Sequence, residues 1–260
     1  MGTAPPEVRW TDDENFTIGE TAFRSAIFDR FTSTPELFCV VKTRSLVERY
    51  IDLVTDLAPT RIVELGIAKG GSTAMLAALT QPDKLVAADI IPDRVEALDR
   101  FIEDQGLSGR VEAHYSVDQS DRDQLGGIVD AAFGDEPLDL VLDDASHDFE
   151  LTRVTFDLLF PRLRPGGLFV IEDWAWAHVG WNVQRPGATP LSMLVFGAIL
   201  ALPQRPGLID HIAIDEDWAV IRRGDLPIDP ADFALHRHAS SRGRDLVIPL
   251  RDDADADADA

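Results

Sequence analysis

Five short apolar runs recur through the middle of the chain: RIVELG (61–66), KLVAADI (84–90), RVEAHYS (110–116), LDLVLDD (138–144) and GLFVIED (167–173), with helical spacing between them. A strand that is apolar at consecutive positions is buried on both faces, and strand–helix alternation supplies the helices that cover them. The pattern therefore predicts an α/β fold built on a doubly wound parallel sheet. Helices are expected over Ser72–Leu79, Asp93–Gln105, Asp121–Ala132 and Phe149–Leu163, the last stopped by Pro165, Gly166 and Gly167. Ahead of the first strand, Leu37, Val40, Val41, Val47, Tyr50, Ile51, Val54 and Leu57 recur mostly at three and four, which predicts a helix over Glu36–Ala58 ended by Pro59. Beyond Asp173 the rhythm changes. A stretch rich in Trp, Gly and Pro (174–210) precedes HIAID (211–215) and WAVIRRG (218–224), an antiparallel pair expected to complete a seven-stranded, mostly parallel sheet.

Length and charge narrow the partners. With 260 residues the chain can bury a sizeable core without staples, and its one cysteine, Cys39, can form no internal disulfide, which fits a reducing compartment. Lys and Arg number 24 against 46 Asp and Glu, a formal net charge of −22 that repels nucleic acid and anionic membranes alike. The first thirty residues have no signal-like core, and the longest apolar stretch, near Leu191–Leu202, is too short to span a bilayer. A cytoplasmic protein is expected, with residues 1–35 as an N-terminal extension, 36–250 as the main domain and the Asp-Ala run 251–260 as a disordered acidic tail.

The segment ELGIAKGGST (64–73) leaves a strand, makes a glycine turn and starts a helix, a geometry that lets a ligand approach the backbone at a helix N-terminus. Its spacing is neither the dinucleotide G-x-G-x-x-G nor the P-loop, so hydride and phosphoryl transfer lose ground. Asp89 ends the second strand, where an acidic side chain can accept hydrogen bonds from both hydroxyls of a ribose. Ser116 and Asp118 follow the third strand, either beside an adenine or as plain loop residues.

The runs VELGIAKGGST, AADI, VLDDASH and LRPGGLFVIEDW resemble the class I S-adenosylmethionine-dependent methyltransferases across about residues 36–224, and within them the metal-dependent sugar O-methyltransferases of macrolide biosynthesis and the cephalosporin-hydroxylase-type family. The resemblance implies a Rossmann-like sheet. It also implies Glu64 and Gly66 near the methionine part of the cofactor, Gly71 and Ser72 along the turn, Asp89 on the ribose and Ser116 near the adenine. Members of the family often assemble as oligomers, which implies a homo-oligomer here.

In a parallel sheet the C-terminal strand ends open on one side. Asp143, Asp144 and His147 follow the fourth strand, Glu172 and Asp173 end the fifth, and one strand–helix–strand unit separates the two sets, so the strands are expected to be neighbours. Crowded carboxylates repel unless a cation neutralises them, and oxygen donors suit Mg²⁺, Mn²⁺ or Ca²⁺. By resemblance Asp144, Glu172 and Asp173 are the metal ligands, while Asp143 faces the cofactor's ammonium group. Asp144 is thereby also a catalytic residue, aiming the acceptor, and His147 is the expected general base, since a neutral imidazole can accept a hydroxyl proton. Trp174, Trp176 and Trp181 either line the acceptor pocket of a lid at 174–210 or pack in the core or a subunit contact. PLSMLVFGAILAL (190–202) is expected as a packed helix, and Arg237, Arg242 and Arg244 either solvate the surface or close over a ligand. The expected activity is O-methylation of a small-molecule acceptor with a free hydroxyl, on the sugar of a secondary metabolite. The alternatives are a catechol-like acceptor or a non-catalytic cofactor-binding protein.

Overall fold

The computed structural model describes residues 6–27, 31–179 and 187–239. Trp181, Arg242, Arg244 and the Asp-Ala run lie outside the described residues. In chain order come strands β1 (Val8–Trp10), β2 (Asn15–Ile18), β3 (Thr21–Ser25) and β4 (Phe38–Val40), then helix α1 (Arg44–Leu57). The alternating part follows as β5 (Arg61–Leu65), α2 (Gly71–Thr80), β6 (Lys84–Asp89), α3 (Glu96–Asp104), β7 (Val111–Tyr115), α4 (Arg122–Phe133), β8 (Leu138–Asp143), α5 (Phe149–Leu159) and β9 (Leu163–Glu172). Helix α6 (Ser192–Gln204) and the hairpin β10 (Ile209–Ile214) and β11 (Trp218–Arg223) complete it.

The main sheet has the order β10-β11-β9-β8-β5-β6-β7. Strands β5 to β9 are mutually parallel, and β11 lies antiparallel to both β9 and β10. This is the doubly wound, Rossmann-like sheet expected. The chain starts at β5, winds outward through β6 and β7, and returns to β8 on the other side, so strand order reverses between β5 and β8. Ligands of open α/β sheets bind outside the strand ends at such a point.

Two apolar layers cover the sheet. Ile62, Leu85, Leu140 and Val170 face a layer shared with α1, α2 and α3, whereas Val63, Val86, Val141 and Phe169 face one shared with α4, α5 and α6. Alternate residues of one strand thus enter opposite cores, which is why these runs are apolar throughout. Helix α2 is buried from Thr73 to Leu79, and small residues such as Ala74, Ala77 and Ala78 let it lie close to its neighbours.

Within and just beyond the stretch expected as an N-terminal extension, β1, β2, β3 and β4 form a second sheet in that order, antiparallel except for the parallel pair β3/β4. Its inner face is a run of rings, Trp10, Phe16, Phe23 and Phe38, with successive centroids 4.6, 5.2 and 5.8 Å apart, and Phe38 meets Phe101 of α3 edge-on. The two sheets therefore share one core.

The helix expected over Glu36–Ala58 is corrected by this arrangement. Phe38, Cys39 and Val40 are all buried in β4, and the helix begins only at Arg44, where the Thr43 hydroxyl accepts from the Leu46 amide at 3.1 Å. A short apolar run reads equally well as strand or helix, and the cap residue marks the true start. The helix expected over Phe149–Leu163 likewise stops at Leu159, because Pro161 forces a tighter 3₁₀ turn and β9 already starts at Leu163.

Asp139 of β8 joins three segments at the opposite end of the sheet. One oxygen accepts from the Thr60 and Arg61 amides, each at 2.9 Å, and the other from Arg164 Nε at 2.6 Å. Burial opposes its ionisation, yet Arg164 and the two amides outweigh burial and hold its pKa below the usual carboxylate value. That stability is present above the unfolded-state pKa and is lost as pH falls through the folded value. Asp139→Ala should lower the unfolding free energy by about 2 kcal/mol, because it leaves two partly buried amides and the partly exposed Arg164 without their acceptor; urea titration at neutral pH measures this.

Candidate active site

The glycine turn after β5 is shaped by close approach. Gly66 has φ +97°, and a Cβ there would lie 2.1 Å from the carbonyl oxygen of Asp144. Gly71, the first residue of α2, would place a Cβ 1.9 Å from the carbonyl oxygen of Cys39 in β4. Both positions exclude any side chain. Asp89 ties the turn down: Oδ2 accepts from the Ile67 and Ala68 amides at 2.8 and 2.9 Å, and Oδ1 from the Ile91 amide at 2.9 Å. Beside it, Ile90 and Ile91 are exposed apolar side chains that sequence reasoning passed over.

Glu64 is buried on β5, accepts from Thr73 Oγ1 at 2.5 Å, and is pushed up to about 7 by burial. Hydrogen bonds from Ser72 and Thr73 oppose that rise. Ser116 is exposed, its carbonyl accepting from Gln124 Nε2 at 3.1 Å, while Asp118 accepts from the amide and hydroxyl of Ser120, which hold its carboxyl below the usual range. Asp143 is buried on the α5 side of β8, where Thr155 donates to it and Gln119 Nε2 lies 3.3 Å from both oxygens. Burial pushes it up to about 6.

Asp144 points to the other side, into a rim shared with the end of β9. Its Oδ1 lies 3.9 Å from His147 Nε2, which is in turn 3.7 Å from Asp173 Oδ2. One ligand atom from each of Asp144, His147 and Asp173 falls within 4.8 Å of the others. Burial lowers the pKa of His147, so the ring is neutral at neutral pH, and a ring N–H bonds to the main-chain carbonyl of Glu172. Burial and the Asp144 charge push Asp173 up to about 7.

Sequence reasoning missed the cation beneath this rim. Lys42, two residues past β4, puts Nζ 2.6 Å from Asp144 Oδ2 and 2.7 and 2.8 Å from the two oxygens of Glu172. The Tyr50 hydroxyl donates to Glu172 as well. Burial works against the lysine's charge, but Asp144 and Glu172 outweigh it and hold its pKa above the ordinary value. No local motif marks Lys42; only the pairing of β4 with β3, and the pressure of β4 on Gly71, bring it here.

The tryptophans divide. Trp174 donates from Nε1 to the Asp215 carbonyl at 2.8 Å and packs on the α4/α5/α6 layer, so in this structure it anchors the hairpin. Trp176 packs on the His147 ring with centroids 4.2 Å apart. Arg49 of α1 pairs with Asp215 and Asp217, and the Asp173 amide donates to the Asp217 carbonyl at 2.7 Å, which fixes the turn carrying Asp173.

Backbone strain marks the same rim. Among the described residues, Ala58, Ala68, Gln81, Ser116, His147 and Asp173 are the non-glycine residues with positive φ. Ala58 and Gln81 end helices, a routine use of that conformation. The other four all follow C-terminal strand ends, where strain is retained when function over-determines the geometry.

Residues 63–174 match a family described as a methyltransferase domain. The chain is 42% identical over 77 residues to the demethylmacrocin O-methyltransferase of Streptomyces fradiae, covering 28% of this chain and 19% of that protein. It is 48% identical over 57 residues to the 8-demethyl-8-alpha-L-rhamnosyl tetracenomycin-C 2'-O-methyltransferase of Streptomyces olivaceus, covering 22% and 14%. The MycE methyltransferase of the mycinamycin biosynthetic pathway, solved with Mg, SAH and mycinamycin VI, superposes with a TM-score of 0.55 at 25% identity, over 68% of this chain and 49% of that one. The chain thus spans less than a fifth of the length of these two curated relatives and about half of MycE. With a sheet that reverses beside a glycine turn, the fold is the Rossmann-like one of these methyltransferases, and residues 63–174 of this chain are similar to a methyltransferase domain.

Proposed function

We propose that the protein transfers the methyl group of S-adenosylmethionine to a hydroxyl of a small-molecule acceptor, a sugar hydroxyl of a natural-product glycoside. The observation that carries this reading is the meeting of Asp144, His147 and Asp173 on one rim, directly across Gly66 from the turn. The side-chain-free approaches at Gly66 and Gly71 fit a ligand laid along the backbone, and Asp89, Ser116 and the exposed Ile90 and Ile91 stand where its ribose and adenine would lie. Glu64, Ser72, Asp118 and Asp143 are assigned to the remaining cofactor contacts in this reading.

The donor set also fits a hard dication. Asp144 Oδ1 and Asp173 Oδ2 face the same space, and burial, with the Asp144 charge added to it, raises the pKa of Asp173. When bound there, such an ion would hold and polarise the acceptor hydroxyl. His147, neutral at neutral pH and fixed by its carbonyl bond and by Trp176, takes the hydroxyl proton at Nε2. Attack then runs in line with the departing sulfide, and Trp176 offers an apolar face to the acceptor ring. Similarity to sugar O-methyltransferases supports a glycoside as acceptor.

Calorimetry with S-adenosylhomocysteine, followed by turnover with S-adenosylmethionine against matched panels of glycosides and catechols, tests the reading. Micromolar binding and methylation of glycosides are expected. Binding with turnover confined to catechols replaces the acceptor class, and no binding removes the reading. Gly66→Ala should weaken S-adenosylhomocysteine at least about tenfold, because its methyl group must displace the Asp144 backbone and occupy a positive-φ site.

A further inference from the structure

The acidic rim is divided by depth. The side chains of Lys42 and Glu172 are 3% and 4% exposed, whereas those of Asp144 and Asp173 are 27% and 26% exposed and His147 lies between. We infer that Lys42 is a built-in cation that fills the inner half of this cluster, removing Glu172 from the metal's ligand set and confining the dication to Asp144 Oδ1 and Asp173 on the outer half. The inference rests on the proposed metal dependence and concerns how this chain arranges it.

Three points support the partition. The first is geometric: a dication shared by Asp144 and Glu172 would need oxygens at about 2.1 to 2.5 Å, and the ammonium already stands 2.6 to 2.8 Å from those same carboxylates. Two cations cannot share that gap without strong repulsion. The second is the division of oxygens on Asp144. Lys42 holds Oδ2, which leaves Oδ1 directed at His147 and Asp173. The third is charge. One lysine and one dication together neutralise the three carboxylates of Asp144, Glu172 and Asp173, with His147 uncharged. A dication and lysine crowded into the inner half would leave Asp173 uncompensated.

Lys42 is then a positioning residue. It touches neither acceptor nor cofactor in this account, and acts by deciding which oxygens are free. Tyr50 has the same sense, since its hydroxyl also donates to Glu172 Oε1. The consequence for the ion is a shallow seat, open toward the acceptor.

Mn²⁺ binding to the full chain, followed by electron paramagnetic resonance and calorimetry, reads this directly without turnover. Glu172→Gln should leave Mn²⁺ affinity within about threefold of wild type, while Asp173→Asn should weaken it more than about tenfold, as loss of a ligand charge does. Lys42→Met removes the inner cation at nearly equal length. In that background Glu172→Gln should now weaken Mn²⁺ more than about tenfold, because Glu172 is free to become a ligand. A Glu172→Gln single variant that loses Mn²⁺ as Asp173→Asn does overturns the partition, and so does a Lys42→Met protein whose Mn²⁺ affinity stays indifferent to Glu172. If Lys42→Met fails to fold, the comparison of the two single variants alone decides. Absence of Mn²⁺ uptake by wild type overturns both this inference and the metal half of the proposed function, whereas S-adenosylhomocysteine affinity in the same samples reports separately on the methyltransferase reading.

Discussion

Excess chelator is expected to reduce methyl transfer at least about a thousandfold, and added Mg²⁺ to restore it. The expectation follows from the outer half of the rim. Asp144 and Asp173 are both about a quarter exposed and sit on either side of His147, and the buried ammonium of Lys42 is already spent on Glu172 and the far oxygen of Asp144. An acceptor hydroxyl entering there meets two carboxylates, which raise rather than lower its pKa. A dication reverses the sign of the local field. Initial rates in chelator, then in a Mg²⁺ titration, measure the effect, and binding of S-adenosylhomocysteine in chelator separates loss of chemistry from loss of the fold. Undiminished turnover in excess chelator would remove the ion from the mechanism.

His147→Ala is expected to lower turnover by about a hundred- to ten-thousandfold while leaving S-adenosylhomocysteine affinity within about threefold. The ring's recorded partners are Asp144, Asp173, Trp176 and the Glu172 main chain, so cofactor binding is not expected to follow it. Its environment is set for accepting a proton: burial keeps it neutral, the Glu172 carbonyl holds one nitrogen as a donor, and Trp176 fixes the plane. A nitrogen that gives its lone pair to a metal cannot also take a proton, so Mn²⁺ affinity of the variant distinguishes the roles. An affinity close to wild type agrees with a base. A large fall reassigns His147 as a ligand, and a large fall in S-adenosylhomocysteine affinity means that it serves the cofactor.

The main sheet was legible because each of its parallel strands must be apolar on both faces, and few other arrangements tolerate runs such as LVLD and LFVI next to helical spacing. The adjacency of β8 and β9 followed from the single crossover between them, and with it the meeting of Asp144 and Asp173. What could not be read depends on contacts distant in sequence. Strands β1, β2 and β4 have three or four residues each, too few to display a period. Lys42 meets partners 102 and 130 positions away, in a segment that looks like the start of a helix until Thr43 caps it. Nor does a local pattern separate Asp143 from Asp144: the strand's alternation sends one toward Thr155 and the other to the rim, but which is which depends on the faces the helices take. Trp174 and Trp176, two residues apart, part in the same way, one to a hairpin carbonyl and the other to the imidazole.

The contact of β4 with the first turn of α2 has a bearing on how such domains could be recombined. The stretch that matches the family begins at residue 63, after both the aromatic ladder and the lysine. A chimaera spliced at that border would inherit a pocket with the electrostatics of one parent and the missing counter-charge of the other, so exchange between relatives should succeed only when the leading forty-odd residues travel with the barrel-less sheet they brace.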